Sequence, residues 1–280
     1  MVHHVDVSTA FLNGDLDHVI YVQQPSHFVQ KGKEDFVCRL RRSLYGLRQS
    51  PRQWNKKVHQ FIESINFARC DCDGCVYVMK SGDGVPQAIL LLFVDDFFLG
   101  APRDLVLMNS IKSRILSEYD CKYIGLVRQA LGLQCVWNED LSSVRIHQKH
   151  LVDELVHKAG MSGCKRAMTP GVGRLSKYMG PRDEAERLQM RAVPYRHFIG
   201  VLIYLLLTRI DIYFSVMNAA QFCCDPGKSH WKAVQRIIKL IAGLLTLLEV
   251  LLLCRKLFWL AIQMLTTTAV LTLCVLRLAM

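Results

Sequence analysis

Two adjacent acids, Asp95 and Asp96, stand inside the apolar run Leu90-Leu91-Leu92-Phe93-Val94-Asp95-Asp96-Phe97-Phe98-Leu99-Gly100. Carboxylates are costly among such neighbours unless something compensates their charge. If the acids occupy the turn of a hairpin, they stand at the exposed end of two buried strands, where a divalent cation offsets their repulsion. A plain acidic turn is the alternative, because turns favour Asp. A third acid, Asp6, sits in the β-branched run Val5-Asp6-Val7, again an expensive position. Three such acids can share metal ions, and two divalent ions about 3.5 to 4 Å apart are the machinery of in-line phosphoryl transfer. One activates an attacking hydroxyl and the other holds nucleotide phosphates. Arg39, Arg41, Arg42, Arg48 and Arg52 lie near in sequence and suit phosphate contacts that position without reading bases. A solvated basic face is the alternative for them.

The elements that must position these acids come from an α+β pattern. Alternating and β-branched runs cover His3 to Val7, Val19 to Gln23, Val37 to Leu40, Val76 to Met79 and Ala88 to Leu99. After Pro51, the spacing of Trp54, Val58, Phe61, Ile62 and Ile65 predicts an amphipathic helix with Arg52, Lys56 and Lys57 exposed. Helical spacing returns over Leu105 to Tyr119 and Lys149 to Ala159. Ala130 to Val136 and Ser143 to Ile146 read as strands. Gly171 to Arg187 mixes Gly, Pro, Ser and charge and reads as a connecting segment. Helical stretches follow over Tyr195 to Leu207 and Ile212 to Cys223, then a basic amphipathic helix from Trp231 to Ala242 carrying Lys232, Arg236 and Lys239.

Composition narrows the partners. With 280 residues, 51% hydrophobic and 21% charged, the chain is long and apolar enough to fold around a core. Lys+Arg 35 against Asp+Glu 24 leaves +11, which favours polyanions, nucleic acid or an anionic membrane, over acidic proteins or free cations. The odd count of eleven cysteines and the absence of an apolar core in the first residues predict a reducing, intracellular setting, cytoplasm or nucleus, with no signal peptide. Cys70, Cys72 and Cys75 lack the second ligand pair that a zinc site needs and read as free thiols.

Asp6-Val7-Ser8-Thr9-Ala10-Phe11-Leu12-Asn13-Gly14 resembles the first catalytic motif of copia-type LTR-retrotransposon reverse transcriptases. Ser43-Leu44-Tyr45-Gly46-Leu47-Arg48-Gln49-Ser50-Pro51-Arg52-Gln53-Trp54 resembles the family's nucleotide- and template-side motif, and Phe93-Val94-Asp95-Asp96 its Tyr-Val-Asp-Asp box. Leu131-Gly132-Leu133 is similar to the primer grip, and Ile146 through Pro170 to the thumb. Tyr195 to Gly200, Thr208 to Ile212 and Pro226 to Trp231 are similar to the connection that precedes ribonuclease H; Cys75 also matches a family position. The resemblance covers residues 2 to 243. It implies a right-hand polymerase palm with partial fingers and thumb, followed by a helical connection region, that extends a primer on an RNA or DNA template with deoxynucleoside triphosphates and two Mg2+ ions. Asp6 and Asp95 would be direct metal ligands and Asp96 a less direct contributor. Phe11 would be the steric gate against a ribose 2′-hydroxyl, and Gln49 would contact the incoming nucleotide or template.

The resemblance divides the chain into palm with partial fingers (1–140), thumb-like segment and linker (141–180), helical connection region (181–243) and an apolar tail (244–280). The sequence begins almost at the first motif, without the basic fingers segment that clamps the triphosphate in the family. A copy lacking that electrostatic stabilisation is expected to be inactive. The tail also departs from the family: Gln263-Met264-Leu265-Thr266-Thr267-Thr268-Ala269-Val270 stands where ribonuclease H would start. Read from the third base of the Gln263 codon, that stretch permits Asp-Ala-Asp-Tyr-x-Gly-Gly. A frameshift near residue 243 is therefore expected, and a genomic sequence without that motif in the alternate frame would exclude it. Two other readings stand beside the polymerase: a non-catalytic nucleic-acid-binding remnant using the basic helices around Arg52 and Arg236, and a protein tethered to a membrane by Leu257 to Leu276. The membrane reading is the weaker, since that run holds Gln263 and four threonines.

Overall fold

The computed structural model describes residues 1–101, 104–171, 173–243 and 248–251. The chain divides into two compact units, Met1–Val127 and Arg128–Met280.

In the first unit, strand alternation sets which side chains are buried. β1 (Val2–Val7) buries Val5 and Val7 and presents His4 and Asp6 on its other face. A 3-10 turn spans Ala10–Asn13. β2 (Tyr21–Gln23) and β3 (Val37–Arg39) form a separate two-stranded ribbon. α1 (Ser50–Ser64) has proline in its first turn and buries Trp54, Val58 and Ile62. β4 (Ala68–Arg69) and β5 (Val76–Lys80) follow. The apolar run from Ala88 to Leu99 folds as a hairpin of β6 (Pro86–Phe93) and β7 (Asp96–Gly100). α2 (Leu105–Glu118) is capped by Asp104, whose carboxylate accepts the Leu107 N–H at 2.9 Å. β8 (Cys121–Leu126) has no counterpart among the expected strands. It is an edge strand with Lys122, Tyr123 and Ile124 exposed in succession, so it carries no period-2 signal.

These strands form an antiparallel sheet in the order β4-β5-β6-β7-β1-β8. Val5, Leu90, Phe97 and Leu99 on one face share a core with Trp54 and Ile62 of α1 and with Met108 and Ile115 of α2. The hairpin and β1 are thereby held together from below, which fixes what stands at their shared end.

In the second unit, β9 (Gln129–Ala130), β10 (Leu133–Trp137), β11 (Ser143–His147) and β12 (Leu248–Leu251) make an antiparallel sheet ordered β12-β11-β10-β9. The single strand expected over Ala130 to Val136 is therefore a hairpin. Leu131 and Gly132 turn it at φ +49° and +74°, and the Tyr204 hydroxyl donates to the Leu131 carbonyl. The helices are α3 (Lys149–Lys158), α4 (Glu184–Arg191), α5 (Tyr195–Leu205), α6 (Tyr213–Ala220) and α7 (Lys228–Ile241). Leu155, Phe198, Leu202, Val216, Val234 and Ile238 form their core. α4 starts inside the stretch expected to be only a connection. Asp183 caps it by accepting the Glu186 N–H at 2.7 Å, a local signal that the Gly and Pro content of the segment outweighed. At the start of α7 the Gly227 N–H donates to His230 Nδ1 at 3.0 Å. His230 Nε2 then donates to the Ser176 carbonyl at 3.0 Å, and the ring stacks on Phe222 at 4.1 Å.

The apolar run Leu257 to Leu276, and the tail expected to be frameshifted apart from β12, lie outside the described residues. Among the described residues, no helix is long and apolar enough to cross a membrane.

Candidate active site

The sheet register brings the three acids to one place. Asp6 of β1 pairs across the strands with Asp96 of β7. Residues opposite one another in an antiparallel pair project to the same face, so both carboxylates leave the face opposite the core. Asp95 is the second residue of the two-residue turn Val94-Asp95, and its carbonyl accepts the Val7 N–H at 2.8 Å, tying the turn to the end of β1. Val94 sits at φ +56°, a strained setting for a β-branched residue. The Trp54 indole holds it there: Nε1 donates to the Val94 carbonyl at 2.5 Å, and the ring, 2% exposed, packs edge-on against Tyr119.

Electrostatics follow from this geometry. Burial raises the Asp95 carboxyl above the ordinary carboxylate range; repulsion from Asp96 and Asp6 adds to the rise, and His4 opposes it. Asp96 Oδ1 lies 2.5 Å from His4 Nε2, and the His4 ring stacks on Phe98 at 4.7 Å. His4 precedes Asp6 by two positions on β1 and so shares its face. Across from Val7, Cys121 is pushed up to about 11 by burial, then by Asp120 and Asp6, which keeps its thiol protonated. Apart from the His4 imidazole, which is engaged by Asp96, the ionisable donors at this end are carboxylate oxygens, a hard set that suits Mg2+ better than zinc. The mutual repulsion at Asp95 is the field a divalent cation would neutralise. The donor chemistry therefore fits Mg2+. In the side-chain positions seen, however, Asp96 is turned to His4, and among the described residues no group of three or more His, Cys, Asp or Glu side chains is arranged to hold a metal.

Phe11 lies in the 3-10 turn after β1, half-buried, with its ring 4.9 Å from that of Tyr45. Its carbonyl accepts the buried Ser43 hydroxyl. Gly14 ends this turn where the chain crowds α1: a Cβ there would lie 2.6 Å from Ser43 Oγ and 3.1 Å from the Trp54 backbone nitrogen. Gln49 precedes α1 and makes no side-chain capping bond. Arg39, Arg41, Arg42, Arg48 and Arg52 are all exposed. Cys70, Cys72 and Cys75 are free, as is every cysteine among the described residues.

Sequence reasoning did not identify three residues that position the site: Trp54, His4 and Ser43. Trp54 looked like helix core, since an indole N–H bond to a turn forty residues away leaves no periodic trace. The period-2 relation of His4 to Asp6 was the one signal available.

Comparison with known proteins agrees with this geometry. Residues 1–173 match the family described as Reverse transcriptase (RNA-dependent DNA polymerase). The chain is 36% identical over 245 residues to the retrovirus-related Pol polyprotein from transposon TNT 1-94 of Nicotiana tabacum, covering 86% of this chain and 18% of that protein. It is 28% identical over 246 residues to the Pol polyprotein from transposon RE1 of Arabidopsis thaliana, covering 86% of this chain and 16% of that one. A transposon Ty5-1 protein of Saccharomyces cerevisiae is 27% identical over 84% of this chain and 74% of its own length. The chain thus spans less than a fifth of the two plant polyproteins. With its family motifs matched along residues 1–173, and its acids brought to one end of an antiparallel sheet, the chain belongs to the reverse transcriptase family of copia-type retrotransposons.

Proposed function

We propose that the first unit is the palm of an RNA-directed DNA polymerase and that Asp6, Asp95 and Asp96 form its nucleotidyl-transfer site. The observation that carries this reading is the register of Asp6 opposite Asp96, with the Asp95 turn bonded to Val7. In the reaction, the primer 3′-hydroxyl attacks the α-phosphorus of a deoxynucleoside triphosphate. A P–O bond forms to the primer oxygen, the bond to the β-phosphate breaks, and pyrophosphate and a proton leave. Mg2+, when bound, supplies charge neutralisation and lowers the pKa of the attacking hydroxyl. Asp6 and Asp95 would hold it directly in this reading. Asp96 contributes less directly, which its engagement by His4 supports. Phe11, fixed through its carbonyl by Ser43, bars a 2′-hydroxyl by bulk. Gln49, at the mouth of α1, meets the incoming nucleotide or template.

Primer extension on a homopolymer RNA template with Mg2+ tests this. Extension by this copy is expected to be weak or absent, so Mg2+ binding is read beside it by calorimetry; in Asp95→Asn with Asp96→Asn any extension should fall by about 100-fold or more and Mg2+ binding should be lost. Mg2+ binding or extension that survives the double substitution in folded protein, or a folded wild type that binds no Mg2+, overturns the reading. Phe11→Ala should raise ribonucleotide incorporation relative to deoxynucleotide incorporation.

A further inference from the structure

The second unit has a cavity of about 300 Å³ between the end of α4, the start of α5 and the segment that joins α6 to α7. Two adjacent cysteines stand in its wall, Cys224 exposed and Cys223 half-buried. Three arginines, Arg187, Arg191 and Arg196, line the same cavity against a single lining acid, Asp225. Arg187 answers that acid: its Nε and Nη2 donate to the Asp225 carboxylate at 3.1 and 3.3 Å, and its Nη1 donates to Glu184 at 2.8 Å. Glu184 is thereby shared with Arg191, which it faces at 4.0 Å. Arg196 acts on the thiols themselves, opposing the rise that burial gives Cys223. The cavity thus joins an accessible thiol to a surplus of positive charge. Exposed thiols in the first unit have the opposite surroundings. Cys72 is pushed above the ordinary thiol range by its neighbour Cys70 and further by Asp71, so an anionic reagent meets repulsion there.

What can form at Cys224 is limited by Cys223. Neighbouring Cα atoms lie about 3.8 Å apart along the chain, closer than the roughly 4.4 to 6.8 Å across an ordinary disulfide. A bond between the two sulfurs would strain the peptide that joins them. Burial, then the charge of Cys224, also holds the Cys223 thiol up, so it supplies little thiolate to attack its neighbour. A mixed disulfide at Cys224 is therefore not displaced from within and lasts until an outside thiol reduces it.

The cavity lies at the small end of the range for small-molecule sites, which suits a short peptide better than a folded partner. Glutathione is such a peptide, and its two carboxylates are the groups that guanidinium forks take. We propose that Cys224 forms a reversible mixed disulfide with glutathione, whose carboxylates are held by Arg191 and Arg196 in this cavity. The Cys224 thiolate attacks one sulfur of glutathione disulfide. A bond forms between the two sulfurs, the disulfide's own S–S bond breaks, and the departing glutathione thiolate takes up the proton that Cys224 released. Cys224 is oxidised and half of the disulfide is reduced, so no further oxidant is needed. The step uses no metal and none of the palm acids, and it stands or falls separately from the polymerase reading.

The test exposes the full-length chain to glutathione disulfide or to uncharged hydroxyethyl disulfide, quenches with acid at intervals and maps the modified cysteines by mass spectrometry. Relative to Cys72, Cys224 should favour the anionic disulfide over the neutral one by roughly 5-fold, the size expected of exposed charge pairs. Arg191→Gln with Arg196→Gln should remove most of that preference while leaving the rate with the neutral disulfide little changed, and Cys223→Ser should leave both rates intact. Circular dichroism of each variant checks that the helices remain folded. Absence of the mixed disulfide at Cys224 in folded protein overturns the proposal. So does a preference no greater than that of Cys72, one that survives the arginine double substitution, an equal loss of rate with both disulfides in that variant, or a Cys223–Cys224 disulfide as the end product.

Discussion

Trp54→Phe tests how the acidic turn is held in place. The indole of Trp54 donates to the Val94 carbonyl at 2.5 Å, and the phenyl ring cannot. Losing that bond costs about 1 kcal/mol. Shrinking a fully buried indole to a phenyl leaves a void of roughly 40 Å³, worth about another 1 kcal/mol at the usual cavity slope. The edge contact with Tyr119 at 5.2 Å is partly kept by the smaller ring. The unit should therefore lose about 2 kcal/mol, and half of that loss should appear locally, in the turn. The reporter is the Val7 amide, which donates to the Asp95 carbonyl at 2.8 Å and so senses whether the turn sits on β1. Hydrogen exchange resolved to single amides should show Val7 protection falling roughly 5-fold further than that of amides in the middle of α1, the excess expected from about 1 kcal/mol of local loss on top of the global change. If the first unit is destabilised by about 2 kcal/mol and Val7 protection falls no more than α1 protection, Trp54 is only core filling and the positioning role is wrong.

Other consequences follow from single contacts. Gly14→Ala forces a Cβ to within 2.6 Å of Ser43 Oγ and should lower stability by about 1 to 3 kcal/mol in thermal unfolding; Gly82→Ala, with nothing within 4 Å, should be near neutral. His230→Ala removes the Phe222 stack and orphans the Gly227 N–H and the Ser176 carbonyl, so the second unit should lose about 3 kcal/mol in urea titration. Asp211 is held below the ordinary carboxylate value mainly by the hydrogen bonds from Arg209. A depressed folded-state pKa gives stability that is present above the unfolded value of 3.8 and lost as pH falls through the folded one. Since the Asp211 side chain is 44% exposed, the effect is screened to under about 1 kcal/mol, and Asp211→Asn should flatten stability against pH below 4 in acid unfolding.

The sequence made much of the first unit legible. Val5 and Val7 alternate with their strand neighbours, and Trp54, Val58 and Ile62 repeat at helical steps, so β1 and α1 follow from periodicity; the hairpin is instead a continuous apolar run, with Ile89 to Leu92 all buried, and its turn is marked by the acids that interrupt the run. The turn acids were legible for the same reason: a charge amid apolar residues calls for an explanation that local propensity does not give. What was hidden is long-range or non-periodic. β8 is an edge strand whose exposed Tyr123 and Ile124 are stabilised by pairing with β1, a contact between residues some 120 positions apart. The break at Leu131 reads as a strand because Leu normally avoids positive φ, and the hydroxyl of Tyr204 that supports it lies far along the chain. His4 and Asp96 meet only because the register puts Asp6 opposite Asp96.

Two locally unfavourable features fall on consecutive residues, and that coincidence supports the proposed placement of the site at this turn. Val94 adopts φ +56°, and next to it Asp95 is desolvated and repelled by two acids. A sequence shaped for stability alone would place Gly or Asn at the first position and a neutral polar residue at the second. Instead the strain is held by features of the surrounding fold: the Trp54 indole, the Val7 amide, and a core in which Phe97 and Leu99 are buried. Such over-determination lets a fold keep a strained turn, and natural chains break local rules in this way mostly at functional sites. It follows that relieving the strain and preserving the function should separate. Val94→Gly should leave stability nearly unchanged, since relief of backbone strain offsets the extra freedom of the unfolded chain, each about 1 kcal/mol. Any extension or Mg2+ binding that the wild type shows should nevertheless fall in that variant, because a turn that no longer resists other conformations holds Asp95 less firmly. A Val94→Gly chain that is much less stable than wild type, or equally stable and fully active, would contradict this account of the turn.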